Sequence, residues 1–247
     1  MPYFAPVAPP ELLLNLKLSG HLGNYHLLLA HDVLAQEDAY TKAFENTSNQ
    51  FIIMDNSVVE LGTPVSADDM LMAIAAVNAN LVVLPDFIGD CDKTIEASKA
   101  VADRWTAEGL EPFMAVPQGQ NLPEMLTCAN HLMIHEGVTS WGVPRAAVKT
   151  LGSRQALITA LHNLAPDFTI HCLGFSDNLL DDIACARREC VMGIDSAVPL
   201  RLGLINETIT LDSPQDVPKR GDYWETAKEP NLKVLENLQR VRAWLNA

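Results

Sequence analysis

Short apolar runs rich in branched residues recur along the chain: YHLLLAH at 25–31, FIIMDN at 51–56, LVVLPD at 81–86, PFMAVPQG at 112–119, TSWGVP at 139–144, FTIHCLG at 168–174 and CVMGID at 190–195. Each reads as a buried strand, because a parallel strand is covered on both faces and shows a continuous apolar run instead of alternation. Between them lie stretches with helical spacing. In SADDMLMAIAAVNAN at 66–80, Met70, Ile74 and Val77 share a face, and Ser66 with Asp69 makes a capping-box-like start. Similar helices are expected at 92–108, 121–135, 145–164 and 176–189. Strand followed by helix, repeated, means parallel strands with crossover helices. Roughly seven or eight such units in about 200 residues is the count of a (β/α)8 barrel, with an open doubly wound sheet as the alternative. ETITLD at 207–212 is the candidate for a closing strand, on a short link from Asp195. The text near 213–229 is polar and Pro-containing, an irregular excursion, and 231–246 reads as an amphipathic helix with Leu232, Leu235, Leu238, Val241 and Leu245 on or near one face. No linker divides the chain, so residues 1–247 are expected to form a single domain.

Charge changes the picture of partners. The 247 residues include 17 Lys+Arg against 31 Asp+Glu, a formal net charge of −14. That argues against a broad basic face for duplex DNA, since phosphate neutralisation supplies most non-specific affinity. A locally basic groove remains compatible, and Lys149, Arg154, Arg187, Arg188, Arg201, Lys219 and Arg220 are the cations that could line it. The N-terminal apolar run has no basic segment before it, and nowhere do eighteen apolar residues run together, so a cytoplasmic protein with no membrane partner is expected. Five scattered cysteines with no CxC or CxxC suit reduced thiols and argue against a cysteine zinc site. His131 and His135 have i, i+4 spacing, but Leu132 stands where a zincin motif needs Glu, and a polar helix face is the better reading. Cys172 reads as packing within its strand. No metal or cofactor is implied.

Polar residues collect directly after the expected strands: Asp55, Asn56 and Ser57; Asp86; Gln118 and Gly119; Gly174; Asp195 and Ser196. In a parallel barrel these positions share the C-terminal rim, where residues from different strands converge on one pocket. Three carboxylates there can bind a divalent cation, can divide acid, base and nucleophile roles, or can accept from a donor-rich ligand such as the Watson–Crick edge of guanine. Each also has a plainer role available. Asp55 suits a turn or cap, Asp86 can open the loop to the next helix, and Gln118 can bridge loop backbones. Asp195, ending an apolar run, is the least easily explained this way.

The ordered segments resemble the active-site motifs of the tRNA-guanine transglycosylase superfamily, most of all its shorter DNA-modifying branch, which inserts 7-deazaguanine derivatives into phage and bacterial DNA. Met54-Asp55-Asn56-Ser57 is similar to the family's Asp-Ser-Gly or Asp-Asn-Gly turn, Val83-Leu84-Pro85-Asp86 to its guanine-reading strand end, and Val116-Pro117-Gln118-Gly119 to its Val-Gln-Gly. Cys172-Leu173-Gly174-Phe175 stands where the family has a Gly-rich turn, and Asp195 to Arg201 matches the spacing of its Asp-x-x-x-Pro-x-Arg element. Ser57 replaces a glycine, single glycines at 119 and 174 replace pairs, and the C-terminal zinc motif is absent. The resemblance implies a barrel without the zinc subdomain, Asp195 as nucleophile, Asp55 as general acid/base, and Asp86, Gln118, Gly119, Gly174, Asn56 and Arg201 around the substrate. The implied partners are a 7-deazaguanine base and guanine-containing DNA, delivered with the help of a basic partner protein if the chain has no basic strip of its own. Two alternatives stay open: a hydrolase or exchange enzyme on free nucleosides or nucleotides, and an inactive purine-binding member of a modification complex.

Overall fold

The structure, a computed structural model, describes residues 1–45, 49–213 and 223–247. Eight strands alternate with helices: β1 (Tyr3–Pro6), α1 (Pro10–Leu18), β2 (Tyr25–Leu29), α2 (Ala30–Ala35), α3 (Glu37–Phe44), β3 (Phe51–Asp55), α4 (Val58–Leu61), α5 (Ala67–Val77), β4 (Leu81–Val83), α6 (Cys91–Ala107), β5 (Phe113–Ala115) and α7 (Leu122–Leu132). The second half continues with β6 (Val138–Pro144), α8 (Ala146–Leu151), α9 (Gln155–Leu164), β7 (Thr169–Leu173), α10 (Leu179–Ala186), β8 (Val191–Ser196), α11 (Val198–Leu204), α12 (Tyr223–Thr226) and α13 (Leu232–Asn246). Every strand pair is parallel, in the order β1-β8-β7-β6-β5-β4-β3-β2. β1 and β2 lie side by side without ladder hydrogen bonds, and the rings of Tyr3 and Tyr25 stack across that seam at 5.2 Å. This is a nearly closed (β/α)8 barrel.

Strand parity divides the core in two. Leu27, Leu29, Ile53, Leu81, Val83, Met114 and Val116 fill the barrel, while Leu28, Ile52, Met54, Val82, Ile170 and Ile194 face the surrounding helices. Tyr25 projects into the barrel over Gly193, where a Cβ would lie only 2.7 Å from the tyrosine ring. Glycine at that point of β8 makes room for an aromatic in the interior. The helices start on hydrogen-bonded caps at Ser66, Asp90, Asn121, Asn178 and Asn231, each accepting from the backbone N–H three residues on. No helix of the described residues is long and apolar enough to cross a membrane.

Four expectations change. The strand completing the eight is Tyr3–Pro6, which pairs with β8, and not 207–212, which is irregular. The cause is Asn237: from α13 its side chain donates to Pro199 O and Glu207 O and accepts from Ile209 N–H, so this backbone is satisfied by an amide side chain instead of a sheet edge. The same contacts turn α13, whose buried residues are Val234, Asn237, Leu238, Val241 and Leu245, while Leu232 is 79% exposed. The helix expected over 145–164 is two helices, because Gly152 adopts a left-handed φ of +79° and ends α8, and Arg154 then turns inward, fully buried. Within the expected irregular segment near 213–229, Tyr223–Thr226 forms the short α12, and 214–222 lie outside the described residues.

Candidate functional site

The five strand-end motifs meet at the C-terminal mouth of the barrel, in two hydrogen-bonded groups on opposite arcs. On the β3–β5 arc, Asp86 is buried, with Asn56 Nδ2 donating to its Oδ1 at 2.7 Å and Gln118 Nε2 donating to its Oδ2 at 2.6 Å. The amides are fixed in turn: Asn56 also donates to Leu84 O and accepts from Val58 N–H, and Gln118 Oε1 accepts from Gly89 N–H. Burial raises the Asp86 carboxyl to about 6, opposed by the two amide donors. At neutral pH it is therefore mainly an ionised acceptor, and each oxygen keeps capacity for a further donor. Gly119 stands just behind this arc, where a Cβ would come within 2.7 Å of the Glu124 Cβ at the start of α7. Its smallness lets the Gln118 loop lie against that helix.

Asp55 ends β3 on the inward parity of Phe51 and Ile53, and accepts the Ser57 N–H at 2.8 Å. Its pKa is raised well above the carboxylate range, first by burial and then by the charges of Glu60, Asp86 and Asp195, against the lowering effect of the Ser57 N–H. The influence of Asp86 and Asp195 places both within electrostatic reach of Asp55. A carboxyl so surrounded favours its protonated form and can act as an acid. Ser57 itself has φ +64°, the left-handed region that glycine enters without strain. Serine here holds a turn that glycine enters without strain.

On the β7–β8 arc, Asp195 is 7% exposed and both of its hydrogen bonds fall on Oδ1, from His171 Nε2 at 3.0 Å and from Gly174 N–H at 2.9 Å. Among the described residues Oδ2 has no hydrogen-bond partner. Gly174 takes φ +67°, and its turn is clamped from behind by Arg154, whose Nη2 donates to Leu173 O and Gly174 O. Arg154 in turn lies 3.4 Å from Asp182, which accepts from the Ser176 backbone and hydroxyl. His171 is fully buried inside the barrel, and its Nδ1 meets Tyr25 Oη at 2.7 Å. Sequence reasoning passed over Tyr25 and His171 as parts of the site, and named Arg154 only as a cation for a phosphate groove. The available signal was parity: His171 shares the inward side of β7 with Leu173, three residues before Gly174.

The remaining candidates separate. Arg201 lies in α11, close enough for its charge to lower the Tyr223 phenol, whose burial nevertheless raises it, and the two hydrogen bonds that Asp195 accepts among the described residues come from His171 and Gly174. Arg187 and Arg188 sit beside the start of β8, where Val191 N–H donates to Arg188 O, so they belong to the opposite end of the barrel. Arg154 is internal, and Lys219 and Arg220 lie outside the described residues. Arg145, not singled out from sequence, follows β6 directly; it is exposed and its stem lies against Gly174. Cys172 faces the outer core, fully buried, with its thiol pushed up to about 11 by burial. No group of three or more metal-ligating side chains occurs among the described residues. The mouth of this (β/α)8 barrel thus joins an acid with a raised pKa, a buried acceptor set and a carboxylate with one oxygen uncommitted among the described residues. No protein-family model and no curated protein matches the chain.

Proposed function

We propose that the chain is a base-exchange transglycosylase that replaces guanine in DNA with a 7-deazaguanine derivative through an aspartyl-glycosyl intermediate. The observation that supports it most is the convergence of Asp55, Asp86 and Asp195 on one mouth with three different surroundings: one acid whose pKa burial and neighbouring charges raise, one acceptor held by amides, and one carboxylate whose Oδ2 has no hydrogen-bond partner among the described residues. Divergent environments for neighbouring carboxyls are how acid, binding and nucleophilic roles are divided. Asp195 Oδ2 attacks C1′, the C1′–N9 bond breaks with its electron pair going to guanine, and Asp55 supplies the proton. The incoming 7-deazaguanine then gives its N9 proton to Asp55 and displaces Oδ2 from C1′. Asp86 with Asn56 and Gln118 accepts from the N1–H and amino group of the base, which disfavours adenine by leaving acceptors unpaired. A target in duplex DNA must first be flipped out, at a cost of a few kcal/mol.

The scarcity of cations among the described residues of the mouth favours a second reading, exchange or hydrolysis on free nucleotides. Arg145 beside Gly174 suits one phosphate better than a long backbone. The test for both is purified protein with labelled 7-deazaguanine and either guanine-containing DNA or guanosine nucleotides. Label is expected in DNA with wild-type protein and none with Asp195→Ala; incorporation at wild-type rate by that variant rules out Asp195 as nucleophile, and exchange on nucleotides alone selects the second reading.

A further inference from the structure

We infer that Tyr25 and His171 are a positioning pair that turns Asp195 so that Oδ2 faces the reacting carbon and favours release of the sugar from it. The inference rests on the transglycosylase reading for its chemistry, and on the barrel interior for its geometry. Inside most barrels the corresponding layer is apolar and branched. Here a polar column runs upward through it, from Tyr25 Oη to His171 Nδ1 at 2.7 Å, and from His171 Nε2 to Asp195 Oδ1 at 3.0 Å. Tyr25 is fixed from below by stacking between Tyr3, at 5.2 Å, and Phe51, at 5.7 Å and nearly parallel. His171 is wholly buried, so its ring orientation is set by these partners and not by water.

The hydrogens follow from the chemistry of the ends. Asp195 accepts at Oδ1, so Nε2 carries a hydrogen. Tyr25, whose phenol is raised well above its ordinary pKa first by burial and then by the Asp195 charge, keeps its proton and donates it to Nδ1. The two partners therefore favour the tautomer with its hydrogen on Nε2, as second partners do for histidines at metal and catalytic centres. With Gly174 N–H it puts two donors on one oxygen and, among the described residues, none on the other.

This asymmetry has a consequence along the reaction. In the covalent intermediate Oδ2 is esterified to C1′ and Oδ1 is an ester carbonyl. When the incoming base displaces the sugar, the C1′–Oδ2 electron pair returns to Asp195 and Oδ1 again shares a full negative charge. Hydrogen bonds to a carboxylate are roughly twice as strong as to a neutral acceptor. Both donors therefore favour the free carboxylate over the ester, and losing one lets the glycosyl-enzyme accumulate.

Three full-length variants test this: Tyr25→Phe, which keeps the stacked ring, His171→Gln, which keeps an N–H donor, and His171→Leu. His171→Leu is expected to lower kcat by about 100-fold with KM for the base little changed, and to retain a sugar adduct visible by intact mass. Tyr25→Phe should lower kcat by about tenfold, and His171→Gln should recover most of the loss seen with Leu. Nitrogen-15 NMR of the wild-type imidazole, read without any substrate, should show Nδ1 as acceptor and Nε2 protonated, a pattern lost in Tyr25→Phe. Unchanged kcat in folded Tyr25→Phe and His171→Gln proteins with no build-up of adduct, or a hydrogen on Nδ1 in the wild type, overturns the inference. If the wild type exchanges no base on any substrate, the transglycosylase reading and the catalytic half of the inference fall, while the NMR measurement still decides whether the pair orients Asp195.

Discussion

Ser57 shows how a residue can depart from a motif and keep its geometry. It holds φ +64°, is wholly buried, and accepts the His31 N–H on Oγ at 3.3 Å. A left-handed conformation costs a non-glycine residue roughly 1–2 kcal/mol, whereas a glycine would forgo the hydroxyl acceptor. Ser57→Gly should stay within about 1 kcal/mol of wild type in urea unfolding, strain relief offsetting the lost bond, whereas Ser57→Ala should fall by about 1 kcal/mol because it keeps the strain and loses the acceptor. A Ser57→Ala protein as stable as Ser57→Gly would refute that account. The aspartates of the mouth were legible in sequence because each punctuates an apolar run. His171 was not, because runs buried on both faces hide parity: His26 sits in a similar run yet points outward to Phe44 and Gln50, with its pKa lowered to about 4 by burial.

At the scale of elements, seven of the eight strands stand out in sequence as apolar runs, and the eighth did not because Tyr3–Pro6 has no branched aliphatic residue and lies among Pro2, Pro6, Pro9 and Pro10. The segment 207–212 looked better as a strand by composition and lost to a side chain no pattern reveals. Asn237 occupies a core position of α13, wholly buried, where its three backbone hydrogen bonds join the helix to the chain on both sides of α11's end. Replacing it by leucine, a change that periodicity alone would favour, leaves two carbonyls and an N–H without partners. Asn237→Leu is expected to cost about 3 kcal/mol in urea unfolding. Leu232→Ser, at an exposed position that the periodic pattern assigns to the buried face, should change stability by less than about 0.5 kcal/mol. The reverse order would restore the simple amphipathic reading.

For the molecule as a whole, a few of the 31 acidic side chains, among them Asp32, Asp86, Asp182 and Asp195, sit where burial makes charge expensive. Asp86 has its pKa raised to about 6 by burial, so between pH 4 and pH 6 the folded protein holds a proton there that the unfolded chain has released. Stability from this group is therefore complete at low pH and is lost as pH rises through that interval, by about 2 to 3 kcal/mol. Asp32, raised to about 6 by burial, acts in the same direction, whereas His26, lowered to about 4, acts against it, since the unfolded chain binds its proton more readily. Bulk repulsion from a net charge of −14 adds a further pH dependence. A comparison of wild type with Asp86→Asn removes these shared contributions. The variant loses one acceptor toward the amides at every pH, a constant offset, but it has no carboxyl to ionise. Its stability relative to wild type should therefore rise by about 2 kcal/mol from pH 4 to pH 7 in urea unfolding. At pH 7 the same variant should bind guanine poorly, because an amide nitrogen now faces the donors of the base; stability gained and recognition lost together is the pattern of a charge buried for function. A relative stability that does not change with pH would show that burial does not raise the Asp86 pKa, whereas one that keeps rising undiminished through pH 7 would show that the carboxyl stays protonated inside the mouth and cannot read the base as an anion.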